Sequence, residues 1–272
     1  MEPVVDQLAQ QSQRVFYGKY RGFVADNKDP QKRGRLLLRV PSVLGELTSG
    51  WALPCLPFGG LTDQGWFMVP EVGAQVWVEF EEGNVHIPIW VGVFWQQTGD
   101  IPSEAALEEP TTRILKTPSG HTLQFDDKEG EEQFRLAHPA GTELIIDKDG
   151  TVNLTDPASN QLTLDAQNNS VTLLDGNGNS LTMDSAGTVI EDANGNRVEM
   201  AAAGITVKGQ MITIEGSQVV LGGSGGEPLI KGPSFLALFA THVHTATSIG
   251  APTTPPIPQG EMSTLTTKTT AS

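Results

Sequence analysis

Two histidines near the C-terminus have the spacing that best suits metal binding. His242 and His244 are separated by one valine, and in an extended segment residues i and i+2 point the same way. Three chains meeting on a threefold axis would bring six imidazole nitrogens to one point. Six nitrogens favour an octahedral ion such as Fe(II) over four-coordinate zinc. The alternative is that the histidines cap the end of an apolar helix predicted at residues 234–240, or bond to loop carbonyls.

Acidic residues are the next candidates for chemistry. Four aspartates recur 8 to 10 residues apart at predicted turns: Asp165, Asp175, Asp184 and Asp192. A calcium-binding nonapeptide array requires a dense G-G-x-G-x-D pattern, which is missing here. We therefore interpret these aspartates as turn residues that solvate the surface.

Paired carboxylates and nucleophile motifs would indicate an enzyme, and neither is convincing here. The acidic tract at Glu79, Glu81 and Glu82 and the pair Asp126-Asp127 lie beside glycines, as is usual for turns. The histidines His86, His121 and His138 are scattered, and neither G-x-S-x-G nor H-E-x-x-H occurs. We predict no catalytic residues and no enzymatic activity.

Charge and cysteine content exclude several partners. The net charge of −15 argues against nucleic acid and anionic membranes. Five basic residues nevertheless share one predicted hairpin: Lys28, Lys32, Arg33, Arg35 and Arg39. Docking to a protein partner is a simpler use for them than binding a single strand of nucleic acid. The single cysteine, Cys55, lies in an apolar run and is expected to be buried. Neither a signal peptide nor a transmembrane segment is visible.

The elements that would position these residues are short alternating strands. Aliphatic pairs at i, i+2, the period of a strand with one buried face, recur at 162/164, 171/173, 181/183, 198/200, 205/207, 212/214 and 219/221. Glycines recur between them every 8 or 9 residues, at Gly178, Gly187, Gly195 and Gly204, where turns need positive φ. This regularity predicts a β-solenoid or a stacked array.

One such ribbon of strands is too thin to be stable as a single chain. No aromatic residue occurs between Arg135 and Ser234, and each repeat offers only two or three inward aliphatic side chains. Burying these cannot offset an ordering entropy of about 1–2 kcal/mol per residue. The sequence therefore predicts an obligate oligomer, and three chains form the smallest closed prism.

The aromatic residues mark a separate domain. Thirteen of the seventeen lie between Phe16 and Trp95. Six strand candidates fall in this region, at residues 17–27, 34–43, 50–58, 65–70, 74–83 and 88–95. About five strands in such a span suit a small antiparallel barrel, of which the OB-fold is the commonest pattern.

The segments Arg33–Val40 (RGRLLLRV), ALPCLPFGG after Trp51, Pro70–Gly73 (PEVG), QVWVEFEEGN and IPIWVGVFW resemble the OB domain of phage baseplate assembly protein V and of type VI secretion spike proteins. Residues 117–154 are similar to the start of the spike's β-helix. The resemblance implies an all-β chain in which an N-terminal OB-fold barrel precedes an intertwined trimeric β-helix needle and a short C-terminal tip. We divide the chain accordingly into a hub-contacting segment (1–14), OB domain (15–98), linker (99–112), trimeric β-helix (113–223) and tip or docking segment (224–272).

The resemblance also implies a function and partners. The chain would be a homotrimeric structural spike that pierces an outer membrane, at the centre of a contractile tail or injection system. Because only about 14 residues precede the OB domain, we expect a separate trimeric hub protein, and the linker is too short for an enzyme domain. Some phage spikes carry an H-x-H iron site at the apex, which implies one iron ion per trimer at His242 and His244.

Two alternatives remain open. The chain could be a β-helical receptor-binding or polysaccharide-degrading tail protein. It could also be a secretion spike that carries a PAAR-like tip protein or cargo. In each case, we expect assembly in the bacterial cytoplasm and incorporation into a virion tail or an extracellular contractile particle.

Overall fold

A computed structural model describes residues 15–221, 227–241, 243–245, 248–250, 253–254 and 265–271. The chain separates into two compact units, which divide between Thr151 and Val152. Strands dominate the described residues, and this confirms the all-β prediction. None of the helices in these ranges has the length and hydropathy needed to span a bilayer.

The first unit begins with the predicted barrel. Its strands are β1 (Tyr20–Asp26), β2 (Leu37–Arg39), β3 (Leu53–Pro54), β4 (Gln75–Phe80) and β5 (Pro88–Val93), and the four-residue helix α1 (Pro41–Leu44) follows β2. The sheet order is β2-β1-β4-β5-β3, with β3 parallel to β5. An antiparallel bridge between Leu36 and Ala52 links β2 to the segment before β3. This closes the five-stranded barrel in the manner of an OB-fold.

The core of the barrel follows from strand alternation. In β4, Val76, Val78 and Phe80 point inward, while the residues between them are half-buried. Trp90 is buried, and its Nε1 donates to the carbonyl of Gly34 at 3.1 Å. All described hydrophobic residues that are fully buried lie between Val24 and Trp90. The barrel is therefore the part of the described chain with a closed core of its own.

One of the six predicted barrel strands is wrong. Residues 65–70 (GWFMVP) form no strand. The backbone N–H of Trp66 donates instead to the carbonyl of Phe58 at 3.0 Å, closing a loop between β3 and β4. Because this segment bonds to its own loop, it makes no ladder with the barrel.

The first unit continues with a short linker and a four-stranded meander, here called the first ladder. The linker contains a 3₁₀ turn (Ser103–Ala105), and Glu104 accepts a hydrogen bond from Lys116 at 2.7 Å. The ladder consists of β6 (Thr112–Lys116), β7 (Thr122–Asp126), β8 (Gln133–Ala137) and β9 (Glu143–Ile146). Each strand pairs antiparallel with the next.

The second unit begins with a seven-stranded antiparallel meander, here called the second ladder. Its strands are β10 (Val152–Thr155), β11 (Gln161–Asp165), β12 (Ser170–Leu174), β13 (Ser180–Asp184), β14 (Gly187–Glu191), β15 (Arg197–Ala201) and β16 (Gly204–Lys208). Consecutive strands pair in register. The predicted strand pairs from 162/164 to 205/207 are confirmed.

The regular pattern ends earlier than the sequence predicted. Ile212 and Ile214 lie in no strand, although they alternate as strand residues do. Beyond them are β17 (Val219–Val220), β18 (Glu227–Ile230), helix α2 (Gly232–Thr241) and β19 (Leu265–Ala271). The three strands form a small sheet in the order β17-β19-β18. Helix α2 confirms the helix predicted at residues 234–240.

Candidate functional site: the apolar face of the second ladder

Five-residue turns set the spacing of the second ladder. Three have the same form, with Asp first and Asn last: residues 156–160, 175–179 and 192–196, here called the stacked turns. In the middle one, Asp175 Oδ1 accepts the backbone N–H groups of Asn177 and Asn179 at 2.9 and 2.8 Å. The backbone N–H of Gly178 donates to the carbonyl of Asp175, with Gly178 at φ +91°. These bonds fix the reversal of the chain between strands.

The last asparagine of the first two stacked turns also reaches the stacked turn that follows. Asn160 Nδ2 donates to Asp156 Oδ2 at 2.8 Å, while its Oδ1 accepts the N–H of Gly176 at 3.2 Å. Asn179 repeats the arrangement and accepts the N–H of Ala193 at 3.3 Å. The turns pack so closely that a Cβ on Gly176 would lie 2.1 Å from the Ala158 carbonyl oxygen. One edge of the ladder is thus a continuous stack of hydrogen-bonded turns.

These turns explain the recurrent aspartates. A side-chain hydrogen bond from Asn179 and backbone N–H donors lower the pKa of Asp175 to about 2. Bonds from Asn160, Asn168 and Asn196 likewise lower the pKa of Asp156, Asp165 and Asp192, respectively. Asp184 accepts the N–H of Ala186 at 2.7 Å. The aspartates therefore serve as turn acceptors, as the sequence predicted.

The strand register collects the aliphatic side chains on one side of the second ladder. Leu181 lies opposite Leu173 on one neighbouring strand and opposite Ile190 on the other. Two positions per strand contribute, and the set continues from β10 to β16. We call this set the apolar face; it comprises Val152, Leu154, Leu162, Leu164, Val171, Leu173, Leu181, Met183, Ile190, Val198, Met200, Ile205 and Val207. Thr188 completes the β14 position.

The opposite side of the same strands is mainly polar, although it includes Leu174 and Val189. A row of threonines crosses its middle, with Thr163 opposite Thr172 and Thr172 opposite Thr182. Thr163 Oγ1 donates to the Asn153 side chain at 2.9 Å. The second ladder therefore has one face suited to water and one suited to burial.

The described part of the chain leaves most of the apolar face exposed. Leu173 and Ile190 are each 50% exposed, and Ile205 is 72% exposed. A contiguous row of this kind exceeds the single exposed apolar residues normal on a monomer surface. The first ladder repeats the pattern, with Phe125 opposite Phe134 and Leu136 opposite Leu144. Both ladders therefore carry an exposed apolar surface.

The predicted metal site lies partly outside the described residues. His242 is among the residues that the structure does not describe. His244 Nδ1 lies 2.7 Å from the carbonyl oxygen of Thr254, a loop contact of the kind named as the alternative. Within the described ranges, no group of three or more His, Cys, Asp or Glu side chains is arranged to hold a metal. The iron site remains a prediction.

The other carboxylate and histidine candidates occupy structural positions. Asp126 accepts hydrogen bonds from Thr112, Gln133 and Gln124 at 2.5 to 2.8 Å. Burial acts to raise the pKa of Asp126, but these bonds outweigh it and lower the pKa. Asp127 pairs with Arg113, and Glu79 pairs with Lys19.

Two of the three histidine candidates lie together, and the third lies apart from them. His121 and His138 stack edge to face, with ring centroids 4.8 Å apart, at the turns beside the first ladder. His86 lies at another turn, where its backbone N–H donates to the Asn84 side chain at 3.0 Å. His121 and His138 are thus brought together beside the first ladder, whereas His86 lies in the barrel domain.

The basic residues of the predicted hairpin differ in role: one forms a largely buried ion pair, and others are exposed. Arg35 makes a charge-assisted pair with Asp29, with a closest distance of 2.6 Å, and both side chains are largely buried. The Arg35 guanidinium holds the pKa of Asp29 well below its usual range. Asp29 also accepts the backbone N–H groups of Gln31 and Arg33. Arg35 therefore locks the hairpin, while Lys32 and Arg33 remain exposed.

The expectation for Cys55 is wrong, because its side chain is exposed. Strand β3 ends at Pro54, and the N–H of Cys55 bonds to the carbonyl of Trp90 at 2.9 Å. This backbone position turns the thiol outward, although the surrounding run of residues is apolar.

Comparisons with known proteins agree with the barrel. Residues 20–95 match the family model of the type VI secretion system/phage-baseplate injector OB domain. A stretch of 35 residues, 13% of this chain, is 49% identical to the pre-baseplate central spike protein Gp5 of Enterobacteria phage T4. That match spans only 6% of the length of the phage protein. The resemblance predicted from the sequence is confirmed for residues 20–95.

Proposed function

We propose, from the premise that residues 20–95 are an injector OB domain, that this chain is a structural spike at the centre of a baseplate. In this proposal, the OB domain seats on a separate trimeric hub protein, and the two ladders form a membrane-piercing needle. The similarity of a short segment to a phage central spike protein supports a baseplate role.

The half-exposed apolar face is the observation that carries this proposal. Each strand of the second ladder contributes two positions to it, and several of these side chains are about half exposed in one chain. Covering an aliphatic side chain fully is worth about 1.5–3 kcal/mol, so each half-exposed side chain leaves about 1 kcal/mol unrealised. Three copies that turn these faces inward would enclose one dry interior and leave the threonine face in water.

Such an assembly suits a mechanical role. Strands that pair along the whole ladder satisfy their backbone groups, and a shared interior couples the three chains. The chains then separate only by losing the whole interior together, which gives kinetic resistance to unfolding. A rod of this kind resists buckling while sheath contraction drives it through an outer membrane.

The remaining parts of the proposal concern chemistry and location. We propose that the spike is not an enzyme, and that one iron ion per trimer is held at the tip by His242 and His244 of three chains. The spike would be assembled in the bacterial cytoplasm and carried in a virion tail or an extracellular particle. Elemental analysis of the purified trimer is expected to find one iron for three chains. It should find none after His244→Ala, and an iron-free wild-type trimer would contradict the site.

The assembly state is the direct test of the proposal. Native mass measurement is expected to give three times the chain mass of 29.1 kDa. A folded protein that stays at the mass of one chain over a range of concentrations would refute the needle.

A tip-carrying role is the second candidate, and helix α2 favours it. Leu236 and Phe239 are 65% and 57% exposed, and they lie one turn apart on a helix without charged residues. This surface suits a separate PAAR-like tip protein or cargo. Deleting residues 227–272 should preserve the trimer and abolish recruitment of the tip. Recruitment that survives the deletion would rule this role out.

A further inference from the structure

The long loop between β3 and β4 exposes the most aromatic surface of the barrel domain. Phe58, Leu61 and Phe67 are 60%, 75% and 68% exposed, and Trp66 is 49% exposed. Aromatic side chains are enriched at the centres of protein interfaces, where they contribute most of the binding energy. These four residues lie within ten positions of a single loop, and Phe58, Trp66 and Phe67 line one cleft.

The loop is held in a defined shape. The N–H of Trp66 donates to the carbonyl of Phe58 at 3.0 Å, which ties the two sides of the loop together. Gly59 and Gly65 lie so close that a Cβ on Gly59 would approach the Gly65 Cα to 3.3 Å. A loop fixed before binding loses little conformational entropy when it binds.

The basic hairpin forms the other wall of the same cleft. Lys32 and Arg33 line it together with Phe58, Trp66 and Phe67. A Cβ on Gly34 would lie 3.3 Å from the Phe67 ring, so the hairpin packs directly on the loop. Since Asp29 and Arg35 lock the hairpin, both walls are rigid. We call this surface the docking cleft.

The charge of the docking cleft differs from that of the chain. The chain carries a net charge of −15, whereas residues 15–98 hold seven basic and eight acidic side chains. Two basic residues and one acidic residue, Asp63, line the cleft. The complementary partner is apolar at its centre and acidic at its rim. The stacked turns of another copy fit poorly, because their residues are Asp, Asn, Gly, Ser, Ala and Pro, which offer no large apolar side chain to the aromatic contacts.

We infer that the docking cleft binds a different protein through an apolar patch flanked by Asp or Glu. The inference rests on the proposed function only in taking that protein to be another component of the same particle. Phe58, Trp66 and Phe67 would supply the buried contact, and Lys32 and Arg33 would fix the orientation.

Photo-crosslinking in assembled particles tests the inference. A benzophenone amino acid is placed at Leu61, 75% exposed on the loop that borders the cleft, and at Tyr17, 74% exposed elsewhere on the domain, as the control. The probe at Leu61 is expected to form an adduct with a different polypeptide, and the crosslinked peptide should contain Asp or Glu beside apolar residues. The probe at Tyr17 should form no such adduct. Lys32→Glu combined with Arg33→Glu should lower the adduct yield about tenfold or more. Lys28→Glu, on the same hairpin but outside the cleft, should leave the yield unchanged.

Three results would overturn the inference. They are an adduct with another copy of this chain, no adduct in particles that contain the chain, and tight binding of oligothymidylate that the double variant abolishes. The native mass of the chain with the wild-type cleft separates this question from the proposed function. A trimer in which Leu61 forms no adduct refutes the docking cleft alone, whereas a chain that remains a monomer refutes the spike.

Discussion

Placing a charge on the apolar face gives the sharpest test of the needle. Leu181 lies between Leu173 and Ile190, each 50% exposed in a single chain. Leu181→Asp removes about 1 kcal/mol of burial per chain and forces a carboxylate into the interior at a cost of several kcal/mol per ion. With three copies, the trimer loses on the order of 10 kcal/mol or more. We expect assembly to fail.

The neighbouring residue supplies a matched control. Thr182 lies on the polar face, opposite Thr172 and Val189. Thr182→Asp introduces the same charge one position away, and it should leave the trimer intact by light scattering and in SDS gels. If Leu181→Asp assembles as well as Thr182→Asp, the apolar face does not line a shared interior.

Acidic buffer refines this test. Burial in the trimer would raise the pKa of the carboxyl introduced by Leu181→Asp above its ordinary value of about 4. Assembly is then favoured below that value and lost as the pH rises through the raised pKa. We expect Leu181→Asp to regain trimers on acidification, whereas Leu181→Asn, which cannot ionise, should show no such recovery.

The other predictions concern the stacked turns and the hairpin. Gly176→Ala should destabilise the second ladder by about 1–3 kcal/mol, because its Cβ meets the Ala158 carbonyl; Gly232→Ala, with nothing within 4 Å, is the control in thermal melts, and equal melting temperatures would contradict the packing. Asp175 has its pKa lowered to about 2, so its contribution is present above the ordinary value of 3.8 and is lost as the pH falls towards 2. Asp175→Ala should flatten this part of the acid unfolding curve, and an unchanged curve would count against the turn bonds. Arg35→Lys should lower the melting temperature more than Arg33→Lys, because only Arg35 makes the forked pair with Asp29, and the reverse order would argue against that lock.

The periodicity of the sequence predicted most strands of the second ladder, but it did not predict where the ladder ends. Pairs such as Leu162/Leu164 and Leu181/Met183 identify strands because their alternation matches the pleat. Ile212 and Ile214 alternate in the same way, yet β16 is the last strand of the ladder. Alternation describes one chain's side chains, whereas a strand also needs a hydrogen-bonding neighbour. A single sequence does not reveal where that neighbour is missing.

The sequence also did not reveal contacts between backbone segments that are separated along the chain. Trp66 and Phe67 look like strand residues, but the close approach of Gly59 and Gly65 turns them into a loop. Cys55 lies among apolar residues and still points outward. The stacked turns, by contrast, had a visible signal, since Asp recurs with Asn four residues later at 156/160, 175/179 and 192/196.

The stacked turns have a consequence for how such a ribbon can change in length. Because turns 156–160 and 175–179 share one geometry, removing residues 156–174 would join Thr155 directly to an equivalent reversal at Asp175. Leu154 would then lie opposite Leu181 instead of Leu162, with apolar and polar sides preserved. Two rungs would be lost, shortening the ribbon by about 10 Å at a spacing of 4.7–4.9 Å per strand. The length of the ladder can thus change by whole hairpins through deletion or insertion of residues, and every remaining strand pair stays in register.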